Sequence, residues 1–122
     1  MGKQILIVDD SAIGRRRTRE VIESAGFETH AVTTGFEGIA ACEQHTFSLI
    51  LTDFNMPGMT GLGMVKSIRK LPGYAKVPVF MVTTECDKVL ISKGQAAGVK
   101  LWVLKPFNPE KLLEAVSREM NA

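Results

Sequence analysis

The sequence predicts an α/β protein with a parallel β-sheet, and three observations support that fold class. Short apolar runs alternate strictly with amphipathic helical patterns along the 122 residues. The third, fourth and fifth runs are almost continuously apolar, which is typical of strands that helices cover on both faces. The length and a hydrophobic fraction of 45% suit one core, so we expect a single domain over residues 1–122.

Five strands and five helices follow from this alternation. The predicted strands are, in order, Ile5–Val8, Thr29–Val32, Leu49–Thr52, Val77–Val82 and Leu101–Leu104. The predicted helices are, in order, residues 11–25, 34–45, 61–71, 87–97 and the segment that begins at Asn108. Right-handed crossovers between five such strands favour a flavodoxin-like, doubly wound sheet in the order 2-1-3-4-5.

Residues typical of helix ends support these bounds. Ser11 is expected to cap the first helix, and Gly26 is typical of its end. Asn108, which a proline follows, is expected to cap the last helix. The helix over residues 87–97 has the weakest pattern of the five, because Gly94 lies inside it.

Polar residues follow four of the predicted strands. They are Asp9 and Asp10 after the first, Asp53 after the third, Thr83 and Thr84 after the fourth, and Lys105 and Pro106 after the fifth. In open parallel sheets, ligands bind outside the carboxyl ends of the strands, near the point where the strand order reverses. We therefore expect carboxylates, a hydroxyl and an ammonium group to meet at one edge of the sheet.

The adjacent carboxylates of Asp9 and Asp10 suggest a cation site. Two like charges about 4 Å apart repel by about 4 kcal/mol at an effective dielectric constant of about 20, and a bound cation removes that cost. Each residue alone also has a structural explanation. Asp9 or Asp10 would cap the first helix, Asp53 would belong to a turn, and Lys105 would be a surface lysine.

Charge and cysteine content restrict the classes of function. Residues 1–61 hold 5 Lys and Arg against 8 Asp and Glu, whereas residues 62–122 hold 10 against 5. The later bases lie singly in several predicted elements, so we expect no direct nucleic-acid binding. Cys42 and Cys86 lie in no metal or redox spacing, which favours free thiols in the cytoplasm. No apolar run approaches membrane-spanning length.

Four segments, VDD, LTDFNMPGMTG, MVTTE and VLKPF, occur in order, each at a strand end. Together they closely resemble the receiver domain of two-component response regulators, and the chain is similar to stand-alone chemotaxis-type members. Such members are a standard example of the 2-1-3-4-5 order, so the order and the resemblance are not independent.

The resemblance implies a phosphorelay function. The chain would accept a phosphoryl group from a histidine kinase or a histidine phosphotransfer protein, and would catalyse only its own phosphorylation and dephosphorylation. It would act as a monomer on an unidentified downstream protein. A flagellar motor, a further phosphorelay step and feedback on a kinase all remain open as the output.

The resemblance also assigns site residues. Asp53 would be the phosphoryl acceptor, with Lys105 and Thr83 contacting the phosphoryl group. Mg²⁺, or alternatively Mn²⁺, would be bound by Asp10, Asp53 and the backbone carbonyl of Asn55, and by Asp9 through water. Oxygen ligands that leave room for water suit Mg²⁺. Lys105-Pro106 resembles the cis peptide of the family.

Several positions depart from the family pattern or modulate the site. Gly14 stands where relatives place a larger side chain, which predicts an open metal site or a frayed first turn. Thr84 is larger than the usual residue, and it joins Asn55 and Glu85 as a modulating position. Trp102 replaces the usual Tyr or Phe of the switch, so we expect a larger ring that is held in one rotamer.

Two other functions compete with the receiver. A metal-dependent phosphatase with an Asp nucleophile needs a second Asp two residues later, where this chain has Asn55. A phosphorylation-independent pseudo-receiver normally lacks one of the acids or the lysine, and this chain has all of them. Both alternatives are therefore less favoured than the receiver.

Overall fold

The computed structural model describes residues 4–121, which form a parallel sheet between two layers of helices. The strands are β1 (Gln4–Val8), β2 (Glu28–Val32), β3 (Leu49–Thr52), β4 (Val79–Thr83) and β5 (Val99–Leu104). The helices are α1 (Ala12–Glu23), α2 (Gly35–Gln44), α3 (Gly61–Ile68), α4 (Lys88–Ala96) and α5 (Pro109–Met120). The sheet order is β2-β1-β3-β4-β5, and every strand pair is parallel, which confirms the predicted fold class.

Side-chain caps begin the helices where the sequence contains a short polar residue. The hydroxyl of Ser11 accepts a hydrogen bond from the amide of Gly14, and the side chain of Asn108 accepts one from the amide of Lys111. Asp87 caps α4 through the amides of Val89 and Leu90. Each cap satisfies amides that have no partner inside the first helical turn.

Two apolar clusters pack on opposite faces of the sheet. One joins Leu6, Val8, Ile50 and Met81 to α2 and α3, with Leu90 of α4 packed against it. The other joins Ile5, Ile7, Leu51 and Phe80 to α1 and α5. Alternate residues of the central strands therefore enter different clusters, as the two-residue period of a strand requires.

One expectation about strand burial was wrong. β5 is not covered on both faces, because Leu101 and Leu104 are 38% and 48% exposed. The sheet order places β5 at an edge, where part of its surface has no neighbouring strand. None of the described helices has both the length and the apolar character needed to cross a membrane.

Candidate functional site

Three carboxylates meet at the carboxyl edge of the sheet. Asp9 and Asp10 follow β1, and Asp53 follows β3, its neighbour in the sheet. One oxygen of each carboxylate lies within 4.8 Å of the others. Asp9 is buried, Asp53 is half-buried and Asp10 is exposed, so the cluster is open to solvent on one side.

Lys105 neutralises part of this charge. Its Nζ lies 2.7 Å from Oδ2 of Asp9 and 3.1 Å from Oδ2 of Asp53. Burial of Lys105 acts to lower its pKa, but the hydrogen bonds and charges of Asp9 and Asp53 outweigh burial and raise the pKa above its ordinary value. One ammonium among three carboxylates leaves an excess of negative charge, which suits a bound cation.

Backbone amides orient two of the carboxylates. Oδ1 of Asp9 accepts from the amide of Ser11 at 2.9 Å. Oδ1 of Asp53 accepts from the amide of Phe54 at 2.6 Å and from that of Asn55 at 3.3 Å. Fixed oxygens that lie close together, one of them exposed to solvent, are the donor set that Mg²⁺ prefers, so these residues fit that ion.

Glu85 joins the β4–α4 loop to the site. Oε1 of Glu85 accepts from Nδ2 of Asn55 at 3.5 Å, and its backbone amide donates to the hydroxyl of Thr83 at 3.2 Å. Thr83 is fully buried at the end of β4, whereas Thr84 is exposed. Thr83 therefore faces the loop, and within residues 4–121 it forms no hydrogen bond with the carboxylates.

Trp102 is held on the inner side of this loop. Its Nε1 donates to the backbone carbonyl of Glu85 at 2.8 Å, and its ring lies 6.0 Å from that of Phe54. A Cβ on Gly94 would lie 2.9 Å from Cζ3 of the indole, so the glycine in α4 leaves the space that the ring occupies. This contact explains why glycine interrupts the pattern of α4.

Gly14 also makes room for its neighbours. It lies inside α1, and its amide donates to the Ser11 hydroxyl, so the first turn is intact rather than frayed. A Cβ on Gly14 would lie 2.5 Å from Oδ2 of Asp9 and 3.1 Å from Nζ of Lys105. A cleft of about 500 Å³ opens beside this pair, between α1 and the segment after β5.

Three further residues support the site and were not identified as site residues from the sequence. Nη1 of Arg15 donates to the backbone carbonyl of Asp9 at 2.9 Å. A Cβ on Gly61 would overlap the backbone carbonyl of Asp53, so only glycine permits this approach of α3. The third residue is Gly94, which leaves space for Trp102. Two features of the sequence could have identified the glycines: Gly61 ends the LTDFNMPGMTG segment, and Gly94 interrupts a helical pattern.

The Lys105–Pro106 peptide bond is cis.

Comparisons with known proteins agree with this fold. The model of the response regulator receiver domain matches residues 5–117. The chemotaxis protein CheY1 of Helicobacter pylori is 34% identical over an alignment of 115 residues, and the match covers 91% of each chain. The structure of the Vibrio cholerae chemotaxis protein CheY4 superposes with a TM-score of 0.91 at 36% identity, covering 97% of this chain and 98% of that one.

A more distant structure shares the fold. It is the receiver domain of the sensor histidine kinase PA1611 from Pseudomonas aeruginosa, with a magnesium ion coordinated in its active site cleft. Its TM-score is 0.90 at 22% identity, and it covers 100% of both chains. The family match and the relatives above 30% identity lead to one conclusion: this chain belongs to the family of response regulator receiver domains.

Proposed function

We propose that the chain transmits a signal by accepting a phosphoryl group on Asp53. Receiver domains of this type are signalling domains that histidine kinases phosphorylate. The observation that carries the proposal is the convergence of Asp9, Asp10, Asp53 and Lys105 on one edge of the sheet. A carboxylate oxygen of Asp53 would form the new bond to phosphorus, while the bond from phosphorus to the histidine nitrogen of the kinase breaks.

The residues around Asp53 would lower the barrier to this transfer by position and charge. Lys105 would stabilise the charge on the phosphoryl oxygens, and the amides of Phe54 and Asn55 hold the Asp53 carboxylate in one orientation. Asp10, Asp53 and the backbone carbonyl of Asn55 would hold Mg²⁺, with Asp9 acting through water. When bound, the ion would supply positive charge that stabilises the oxygens of the phosphoryl group.

Thr83 and Trp102 would carry the response to the rest of the molecule. Thr83 bonds to the amide of Glu85, and Trp102 bonds to the carbonyl of the same residue. If Thr83 turns towards a phosphoryl group, it must release the Glu85 amide, and the loop that Trp102 contacts is then free to rearrange. The surface formed by α4 and β5 would change for a downstream protein.

Intact-mass measurement tests the acceptor. We expect acetyl phosphate with Mg²⁺ to add one phosphoryl group to the wild type and none to Asp53→Asn. Asp87→Asn is the matched control, because asparagine also caps a helix and Asp87 lies outside the cluster. A folded wild type that stays unmodified, or a modified Asp53→Asn, would overturn the assignment.

The phosphatase alternative is tested by turnover. A phosphatase with an Asp nucleophile would release many phosphates per protein from an alkyl phosphate, such as glycerol phosphate, with Mg²⁺. The position two residues after Asp53 is Asn55, whose amide is too weak an acid to protonate a leaving alkoxide. We therefore expect no multiple turnover, and sustained release that Asp53→Asn abolishes would favour the phosphatase.

A further inference from the structure

A basic groove lies at the edge of the sheet opposite the carboxylates. It has a volume of about 1010 Å³ and lies between the end of α3, the loop before β4 and the end of α4. Its positively charged residues are Lys66, Arg69, Lys70, Lys76 and Lys93. The groove lining contains no acidic residue. Bases that are scattered along the sequence therefore meet in one place.

The four lysines of the groove keep their charge unneutralised. None of them forms an ion pair with an acidic residue of the described chain, whereas Lys100 pairs with Glu119 at 2.6 Å. Residues 54–84 contain four of the five cations and no Asp or Glu. Like charges at this density repel each other, and an anion in the groove would remove the repulsion.

Arg69 forms the floor of the groove. Its guanidinium donates to the backbone carbonyls of Tyr74, Val77, Ala97 and Gly98, at distances from 2.6 to 3.3 Å. These bonds join the end of α3 to the loop before β4 and to the end of α4. The groove is therefore a fixed feature of the fold, and not a chance approach of three flexible segments.

Favourable positions at helix ends explain only part of this pattern. Lys66 and Lys93 lie in the last turns of α3 and α4, where the helix dipole favours a cation. Lys70 and Lys76 lie beyond the helix, and Arg69 already binds the carbonyls of Ala97 and Gly98 at the end of α4. Stabilisation of the helices therefore does not account for the whole cluster.

We propose that the basic groove binds an acidic segment of a partner protein, one that carries several Asp or Glu residues in succession. Small residues, Ala75, Ala96, Ala97 and Gly98, line the groove between the cations, so an extended peptide backbone can approach closely. No aromatic ring lines the groove, so the bases of a single-stranded nucleic acid would have nothing on which to stack. Charge and shape together favour a carboxylate-rich peptide.

Titration with a defined peptide tests this proposal on the unphosphorylated full chain, and so does not depend on phosphorylation. The probe is a fluorescein-labelled peptide of eight glutamates, and its glutamine counterpart is the uncharged control. We expect saturable binding that weakens as salt is added, with amide chemical-shift changes concentrated in residues 66–76 and 93–98. The variant Lys66→Gln/Lys70→Gln/Lys76→Gln should weaken binding by about tenfold.

A second triple variant distinguishes binding at the groove from a general effect of the protein's net charge. Lys88→Gln/Lys100→Gln/Lys111→Gln removes the same charge from residues outside the groove, and should weaken binding by less than about twofold. Equal losses in the two variants, or shifts outside the groove, would overturn the proposal. If a single-stranded oligonucleotide of equal charge binds more tightly than the peptide, the groove is a nucleic-acid site and not a site for an acidic peptide.

Discussion

The two edges of the sheet carry opposite charges and are built in opposite ways. At the carboxyl edge, Lys105 forms ion pairs with both Asp9 and Asp53, and these three side chains are largely buried. At the amino edge, the lysines of the basic groove have no acidic partner within residues 4–121 and lie at the surface. The ion pairs of Lys105 are therefore part of the folded core, whereas the lysines at the other edge are available to a binding partner.

The two edges should therefore respond differently to mutation. A buried ion pair leaves an uncompensated charge when one partner is removed, and the cost is large. An exposed charge without a partner can be removed at little cost, or with a small gain. The same change, lysine to a neutral residue, should therefore have different effects at the two edges.

The largest effect is expected for Lys105→Met. Removal of the ammonium leaves the Asp9 and Asp53 carboxylates together with no counter-charge, and the free energy of unfolding should fall by about 3 kcal/mol without metal. Mg²⁺ should restore part of this loss, because a ligand that binds only the folded state stabilises it. Urea denaturation with and without Mg²⁺ measures both effects.

Lys100→Met is the matched control, because Lys100 also forms an ion pair but is 60% exposed there. It should cost no more than about 1 kcal/mol. Equal losses in Lys100→Met and Lys105→Met would contradict the distinction between paired core charge and surface charge.

The pH dependence of stability tests the same difference between the two edges. The folded-state pKa of Lys105 is raised, because hydrogen bonds to Asp9 and Asp53 outweigh the opposing effect of burial. The stabilisation is therefore complete below the unfolded-state pKa of about 10.4 and is lost as pH rises through the folded-state value. From neutral pH upwards, the difference in the free energy of unfolding between wild type and Lys105→Met, measured by urea denaturation, should narrow only above about pH 10. Narrowing near neutral pH would show that another group is responsible.

Gly14→Ala should have the next largest effect. Alanine normally stabilises a helix relative to glycine by about 0.5–1 kcal/mol. Here the new Cβ would lie 2.5 Å from Oδ2 of Asp9, and Asp9 is held by Lys105 and by the Ser11 amide. We expect a net loss of about 1–2 kcal/mol in thermal or urea denaturation, because crowding outweighs helix propensity.

Gly63→Ala provides the control for this prediction. Gly63 lies in α3, and its added Cβ would meet Met59 and Thr60 only at the ordinary distance of 3.5 Å. That variant should gain about 0.5–1 kcal/mol. If both alanines stabilise the protein, Gly14 does not maintain the geometry of the Asp9–Lys105 pair.

The carboxyl edge was predictable from the sequence because strand order converts chain position into proximity. Asp9, Asp53 and Lys105 each follow a strand, and parallel strands end at the same edge. The close approach of Gly61 to Asp53 could not be predicted, because it depends on where α3 begins against the loop. The same limit applied to Gly94, whose partner Trp102 comes from another element.

The basic groove was not predicted from the sequence, for a related reason. Lys66, Lys70 and Lys76 lie within the acid-free residues 54–84 but belong to α3 and to the segment before β4, and Lys93 comes from α4. They meet because the sheet places β3, β4 and β5 side by side, which brings the connections before β4 and β5 to one edge. Periodicity along one helix reports the charge of one face, but not charge collected from separate elements.

A smaller effect is expected at Trp102, which contacts both α4 and the loop after β4. Gly94→Ala would place a Cβ 2.9 Å from the indole, and so displace the ring and break its bond to the Glu85 carbonyl. Loss of that bond should cost about 1 kcal/mol, and the emission of the single tryptophan should shift to the red as the ring meets water. Unchanged emission in a folded variant would mean that the ring has another place to pack.

The smallest effect is expected at the basic groove. Lys66→Gln/Lys70→Gln/Lys76→Gln should change the free energy of unfolding by no more than about 0.5 kcal/mol. The change should be stabilising, because relief of repulsion without loss of an ion pair outweighs the loss of the favourable position of Lys66 at the end of α3. The gain should be largest at low ionic strength, where exposed charges are least screened. Lys88→Gln/Lys100→Gln/Lys111→Gln removes the same charge but also breaks the Lys100–Glu119 pair, so it should not be stabilising. A loss above about 1 kcal/mol in the groove variant would mean that these lysines already have partners in the fold, and the contrast between the two edges would fail.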